Sequence, residues 1–291
     1  MASTEISASS RPGATLPAAL RLGPVHLTVT DLERSVVWYE RVVGLRCMRR
    51  NGVEAELGDG VATVVHLYED REARRPGRHA GLYHYALLLP TREELARAVL
   101  RISAAQAQVQ GVSDHGTHEA VYLADPDGNG IELAADRAPE QWPSRRYAGG
   151  PAPLDLQSLL RTVEGEAPNS TVAEGLRIGH VHLHVGDIGA ALAFYCDLLG
   201  FELQANLGTA AFVSAGGYHH HVGLNIWKGR GVGPAPAHAV GLRHWTAELP
   251  QATDVGALRA RVEAAGQAAE AVPGGFRVRD PWEIAVDFVS S

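Results

Sequence analysis

An internal repeat constrains this chain more than any other feature. Asp31, Tyr39 and Gly44 recur as Asp187, Tyr195 and Gly200 at an offset of 156. Gly81, Leu82, His84 and Pro90 recur as Gly241, Leu242, His244 and Pro250 at 160, and Asp125-Pro126 recurs as Asp280-Pro281 at 155. Three stretches at nearly one spacing mean that one architecture is present twice, and a repeated unit buries its apolar face only against another unit. Each half also holds two similar strand–helix–strands segments. The sequence therefore predicts an α+β protein of four βαβββ units, paired into two similar open-barrel domains. Pairing curls the strands into an open sheet with helices outside and a concave cavity inside, where first and last strands converge.

The boundaries follow from composition. Residues 1–20, rich in Ala, Ser, Thr and Pro, read as a flexible tail without the basic and apolar regions of a signal peptide. Residues 21–135 form the N-terminal paired domain and residues 178–289 the C-terminal one. Between them, residues 136–177 carry Pro139, Pro143, Pro151, Pro153 and the Gly149-Gly150 pair, the marks of a linker, with a short helix over 155–161. Thr30-Asp31-Leu32-Glu33 starts a helix with Leu32, Val36, Tyr39 and Val43 on one face, ended by Gly44. Thr91 and Glu94 cap a second.

Composition narrows the partners. A net charge of -7 argues against nucleic acid or an anionic membrane surface. Two cysteines give no disulfide framework, so a reducing cytoplasm is the default, and no apolar run has the length of a membrane span. Gly-x-Ser-x-Gly, Walker and dinucleotide-binding glycine patterns are absent.

Chemistry points to one strand. In residues 178–187, alternation puts His180, His182 and His184 on one face and Val181, Leu183 and Val185 on the other. Imidazole is the commonest protein metal ligand, so three on one face suggest a metal-lined cavity. The repeat selects partners for His180: His244 on the matching first strand of the fourth unit, and Asp287 on its last strand, with Glu283 in the same phase as a competing carboxylate. Two histidines and a carboxylate from three strands compose the face that holds Fe(II) or Mn(II) with open positions for substrate and O₂. The N-terminal half offers Pro24, His84 and Glu132 in the same places. Proline has no side-chain donor, so that half reads as a degenerate copy, with His26 in phase as a substitute.

The passages 179–187, 214–221, 113–115 and 122–133 together resemble the vicinal oxygen chelate superfamily, and within it the two-domain catechol 2,3-dioxygenase-like (type I extradiol) branch. The resemblance covers about residues 22–289. It implies one Fe(II), or Mn(II), per chain in the C-terminal domain, held by His180, His244 and Asp287, although the family's usual last-strand ligand is Glu. It also implies a proton-handling histidine near bound O₂, matched by His221. His182, Tyr218, His220 and Asn225 are expected to line the substrate, and Arg277 stands where the family places a tyrosine.

The expected function is extradiol cleavage of a catechol-type aromatic, with substrate and O₂ on one metal. A glyoxalase-type metal-dependent isomerase or lyase and a non-catalytic protein binding a small aromatic are the alternatives. A homodimer is expected from the habits of paired-unit proteins.

Overall fold

The computed structural model describes residues 15–144, 147 and 150–291. Residues 1–14 of the expected tail lie outside the described residues. The rest forms four βαβββ units. The first comprises β1 (Arg21–Val29), α1 (Leu32–Trp38, continued by a π-helical turn over Tyr39–Val43), β2 (Arg46–Arg50), β3 (Glu54–Gly58) and β4 (Thr63–Glu69). The second comprises β5 (Gly81–Leu88), α2 (Arg92–Ala104), β6 (Gly111–Asp114), β7 (His118–Ala124) and β8 (Gly130–Asp136). After the connecting helix α3 (Leu156–Arg161), the third has β9 (Arg177–His184), α4 (Ile188–Leu192, continued over Ala193–Leu198), β10 (Glu202–Asn206), β11 (Ala210–Ser214) and β12 (Val222–Asn225). The fourth has β13 (Gly241–Leu249), α5 (Ala252–Ala264), β14 (Glu270–Val272), β15 (Gly275–Arg279) and β16 (Ala285–Ser290).

Local chemistry sets the helix ends. Asp31, Thr91, Asp155 and Asp187 each accept a backbone N–H from the first turn of their helix. Gly44 takes φ 84° beyond the first helix, a left-handed cap that glycine adopts without strain. The recurring Tyr and Asp of the repeat are structural. The Tyr195 hydroxyl donates to Asp280 at 3.2 Å, and Asp280 accepts the N–H groups of Trp282 and Ile284 that shape its turn. Tyr39, Asp125 and the turn at Asp127 and Asn129 repeat the arrangement.

Within each unit the last strand lies parallel to the first: β4 with β1, β8 with β5, β12 with β9 and β16 with β13. Units then join through their first strands, and here the structure departs from expectation. β1 pairs antiparallel with β13, and β5 with β9. The first unit is thus married to the fourth and the second to the third, rather than neighbours within each half. A single ladder pair, Leu22 with Ile178, links the two open sheets. All four first strands share one apolar alternation, so the pattern shows that they pair but not with which partner. Val25, Leu27, Val29, Val181, Leu183 and Val185 are fully buried under the helices, which leaves the opposite faces to line the two concavities.

Candidate functional site

The β5/β9 sheet gathers most of the histidines. His180, His182 and His184 follow one another along the inner face of β9, all buried. Register places His84 of β5 beside His182, and Glu132 of β8 beside Ala86 one strand over. Three donor atoms meet there. His84 Nε2 lies 3.2 Å from His180 Nε2, and the two nitrogens lie 3.1 and 3.2 Å from Glu132 Oε2. A triangle with edges of about 3 Å is what three ligands on one face of a first-row ion present, at metal–ligand distances of about 2.0–2.2 Å.

Protonation favours the same reading. Burial pulls His180 below its ordinary value, toward the neutral form with a free lone pair. Burial pushes the Glu132 carboxyl up, but its contacts with His180, His118 and His84 outweigh that and hold it well below the usual range. Neutral imidazole and ionised carboxylate are the forms that bind metal. The second carboxylate oxygen, Oε1, has His118 Nε2 at 3.0 Å and, among the described residues, no well-directed hydrogen bond. These donors fit a divalent cation.

Around this triangle, the His220 ring packs on His180 with centroids 4.1 Å apart, and its Nδ1 meets His219 Nδ1 at 2.9 Å. Tyr122 shares a hydrogen bond of 2.7 Å with His115 Nε2. Tyr83, Phe212 and Trp227 close around His182, with ring centroids 5.2, 5.8 and 5.4 Å from it. Among the described residues, His182 Nε2 and Asn225 Nδ2 are buried without a hydrogen-bond partner. The Asn225 amide orientation is set by its oxygen, which accepts the N–H of Trp227 and sits 2.7 Å from His184 Nδ1.

The structure divides the expected ligand set. His180 is in the β5/β9 sheet, whereas His244 and Asp287 are in the β1/β13 sheet, 3.4 Å from each other. The physical cause is the exchange of partners between halves, which brings His84 and Glu132 to His180 instead. The second sheet also spends its carboxylate internally: Arg277 Nε and Nη2 bind both Asp287 oxygens at 2.6 and 2.8 Å. His26 stacks on His244 at 3.8 Å and meets the Tyr68 hydroxyl at 2.9 Å. Glu283 is exposed at φ 62°, in the turn position that Gly128 fills in the repeat, and reaches Arg279 rather than any histidine.

His221 turns away from His180. Its Nδ1 accepts the N–H of Ala215, and it lines a cavity of about 720 Å³ behind the strand with Gly179, Trp142 and Tyr218. Tyr218 donates to Asp136 at 2.8 Å. His182 follows His180 on β9, the His220 ring packs on His180, and Asn225 lies beside His184 on β12. His118, His219 and Asp136 were not singled out from sequence. The signal for His84 and Glu132 was present, since they occupy the repeat positions of His244 and Asp287 and Glu is the longer, more usual carboxylate.

Known proteins agree with this architecture. Over 272 residues the chain is 42% identical to the "Catechol-2,3-dioxygenase" of Bacillus subtilis, covering 89% of this chain and 93% of that protein. A crystal structure from Bacillus subtilis superposes with TM-score 0.66 at 14% identity, covering 93% of this chain and 85% of that one. Glyoxalase I from Zea mays does so with TM-score 0.56 at 16% identity, covering 94% and 92%. The family model for the Glyoxalase/Bleomycin resistance protein/Dioxygenase superfamily matches residues 21–133 and again 177–288, and the chain belongs to that superfamily.

Proposed function

We propose that the protein is an Fe(II)-dependent extradiol dioxygenase that cleaves a catechol-type aromatic ring with O₂, and that His84, His180 and Glu132 hold the metal. The observation that carries this reading is the convergence of two buried imidazole nitrogens and one carboxylate oxygen in a sequence 42% identical to a catechol dioxygenase. When bound, the ion would bring a vicinal diol and O₂ together on adjacent open positions and transmit electrons between them.

The chain's own groups supply position and protons. Tyr83, Phe212 and Trp227 offer aromatic faces beside the triad, which suits a flat ring. His220 is kept neutral by burial, and its Nδ1 is engaged by His219. With that Nδ1 accepting from His219, the His220 hydrogen sits on Nε2, from which it can be given to an oxygen of the bound substrate and later recovered. Tyr122 and His115, joined by their hydrogen bond, stand on the side of Glu132 and orient its approach.

The test is reconstitution under anaerobic conditions. Protein loaded with Fe(II) and mixed with catechol should consume one O₂ per diol when air is admitted, and His180→Ala should not. Fe(II)-loaded protein that consumes no O₂ with any catechol overturns the proposal. Turnover of a hemithioacetal without O₂ under the same conditions would transfer the site to the glyoxalase-type reaction.

A further inference from the structure

Beyond the triad, a second cluster of ligand-type side chains remains without a role. His118 at the start of β7, Asp136 at the end of β8 and His219 in the loop before β12 bring one potential donor each within 4.8 Å of one another. His118 and His219 are almost wholly buried, and Asp136 is largely so. The two imidazole rings lie nearly parallel, 17° apart with centroids 4.8 Å apart, so their edges face the same region. His219 Nε2 lies 3.0 Å from Asp136 Oδ1.

Each member is held from behind, as metal ligands are. Thr117 Oγ1 meets His118 Nδ1 at 2.9 Å, His220 Nδ1 meets His219 Nδ1 at 2.9 Å, and the Tyr218 hydroxyl donates to Asp136 Oδ2 at 2.8 Å. If Nδ1 of His118 donates to Thr117, its Nε2 lone pair is turned on Glu132 Oε1, 3.0 Å away. Among the described residues that oxygen has no well-directed hydrogen bond. Two electron-rich atoms so placed are reconciled by a cation that both approach. Burial draws His219 down to about 4, so it is a neutral ligand at ordinary pH.

We propose that His118, Asp136 and His219 form a second divalent-cation site beside the His84–His180–Glu132 triad, with Glu132 Oε1 turned toward it. The donor set, two imidazoles and a carboxylate, suits a first-row transition ion over Ca²⁺ or Mg²⁺. This site does not depend on the dioxygenase reading, since His118, Asp136 and His219 are not members of the triad and only Glu132 touches both.

The test counts metal. The full-length chain is stripped with a chelator, equilibrated anaerobically with Co(II), passed through a desalting column and analysed by mass spectrometry for metal per chain. Two equivalents are expected, falling to one in His219→Ala and to one in Asp136→Asn. The Asn variant preserves side-chain shape, so it decides the matter if the Ala variant does not fold. Metal content that is the same in the unaltered protein, His219→Ala and Asp136→Asn overturns the proposal. His180→Ala provides the separate control. A single equivalent in the unaltered protein, kept in His180→Ala and lost in His219→Ala, would remove the triad as a metal site while leaving the second site standing, and a fall from two to one in His180→Ala would show that the two sites are distinct.

Discussion

The two open sheets of this molecule are built on one plan and differ at a few aligned positions. His180, His84, Glu132 and Tyr122 in the β5/β9 sheet correspond to Pro24, His244, Asp287 and Arg277 in the β1/β13 sheet. Proline removes a side-chain donor and also an N–H; the ladder slip between Leu22 and Val25 is shared with the other sheet, where it falls between Ile178 and Val181. With that ligand gone, the Arg277 guanidinium sits on the remaining carboxylate as a permanent internal cation. A third difference concerns space. Gly223 lies beside His182, and a Cβ there would approach the ring to 2.8 Å. The matching neighbour of His26 is His66, whose ring fills that place 5.0 Å away. One concavity has satisfied its own polar groups. In the other, Glu132 Oε1, His182 Nε2 and Asn225 Nδ2 are buried with no hydrogen-bond partner among the described residues.

The comparison breaks most readily at the ligands. His84→Ala and Glu132→Ala should each lower Fe(II) affinity by at least about 100-fold, because they delete a donor outright and even supporting partners are worth about 10–100-fold. His244→Ala and Asp287→Ala, made in the other sheet, should leave Fe(II) affinity at the triad within about twofold. Binding titrations under anaerobic conditions check both. A loss of affinity from His244→Ala equal to that from His84→Ala would return the metal to the set expected from sequence.

Arg277 sharpens the contrast from the other side. Arg277→Leu leaves the Asp287 carboxylate mostly buried and unpaired, which should destabilise the chain by about 2–3 kcal/mol. That is below the cost of a fully buried pair because the guanidinium is 23% exposed. Adding Asp287→Asn should recover most of the loss, since no charge then remains to be paired. Urea unfolding of the three variants measures this. A single variant as stable as the parent would show that the pair is screened by water and is not an internal replacement for a cation.

Much of this was legible in the sequence, and the part that was not has a physical reason. Repeat spacing and apolar alternation encode what each unit is, so the four units, the capped helices and the inward histidines of β9 follow from local rules. The partner of each first strand is a long-range choice among four similar surfaces, and nothing in the pattern of β1 distinguishes β13 from β5. That one ambiguity moved His244 and Asp287 away from His180 and put His84 and Glu132 in their place. The histidine run before β12 shows the same limit at smaller scale. Neighbouring histidines in such a run point to different sides, but which of them faces His180 is fixed by the turn at Gly216 and Gly217, where both residues take positive φ. So the proton-handling role expected of His221 is proposed for His220 instead. Asp136 and His219 meet only because the end of β8 reaches across to the third unit, a contact with no sequence signature.

The smallest expected effect concerns protons, and it distinguishes the sheets by what survives when metal is absent. Burial lowers His26 and His244 from 6.5 to about 3 in one sheet, and in the other lowers His115 and His184 to about 4 and His221 to about 3. A histidine whose folded value lies below its unfolded value takes up a proton when the chain unfolds anywhere between the two. The stabilisation is therefore complete above about pH 6.5 and is lost as pH falls toward 3–4. The metal-free chain should thus lose stability steadily on acidification from pH 6.5. In His26→Phe, which keeps an aromatic face for His244, one such proton is removed, and the slope of unfolding free energy between pH 4.5 and 6 should fall by at most about 1.4 kcal/mol per pH unit. Urea midpoints across that range supply the slope. An unchanged slope would mean that His26 is already charged in the folded chain, and the β1/β13 concavity would then have to be regarded as wet and open, not as the self-satisfied twin of the concavity proposed to bind metal.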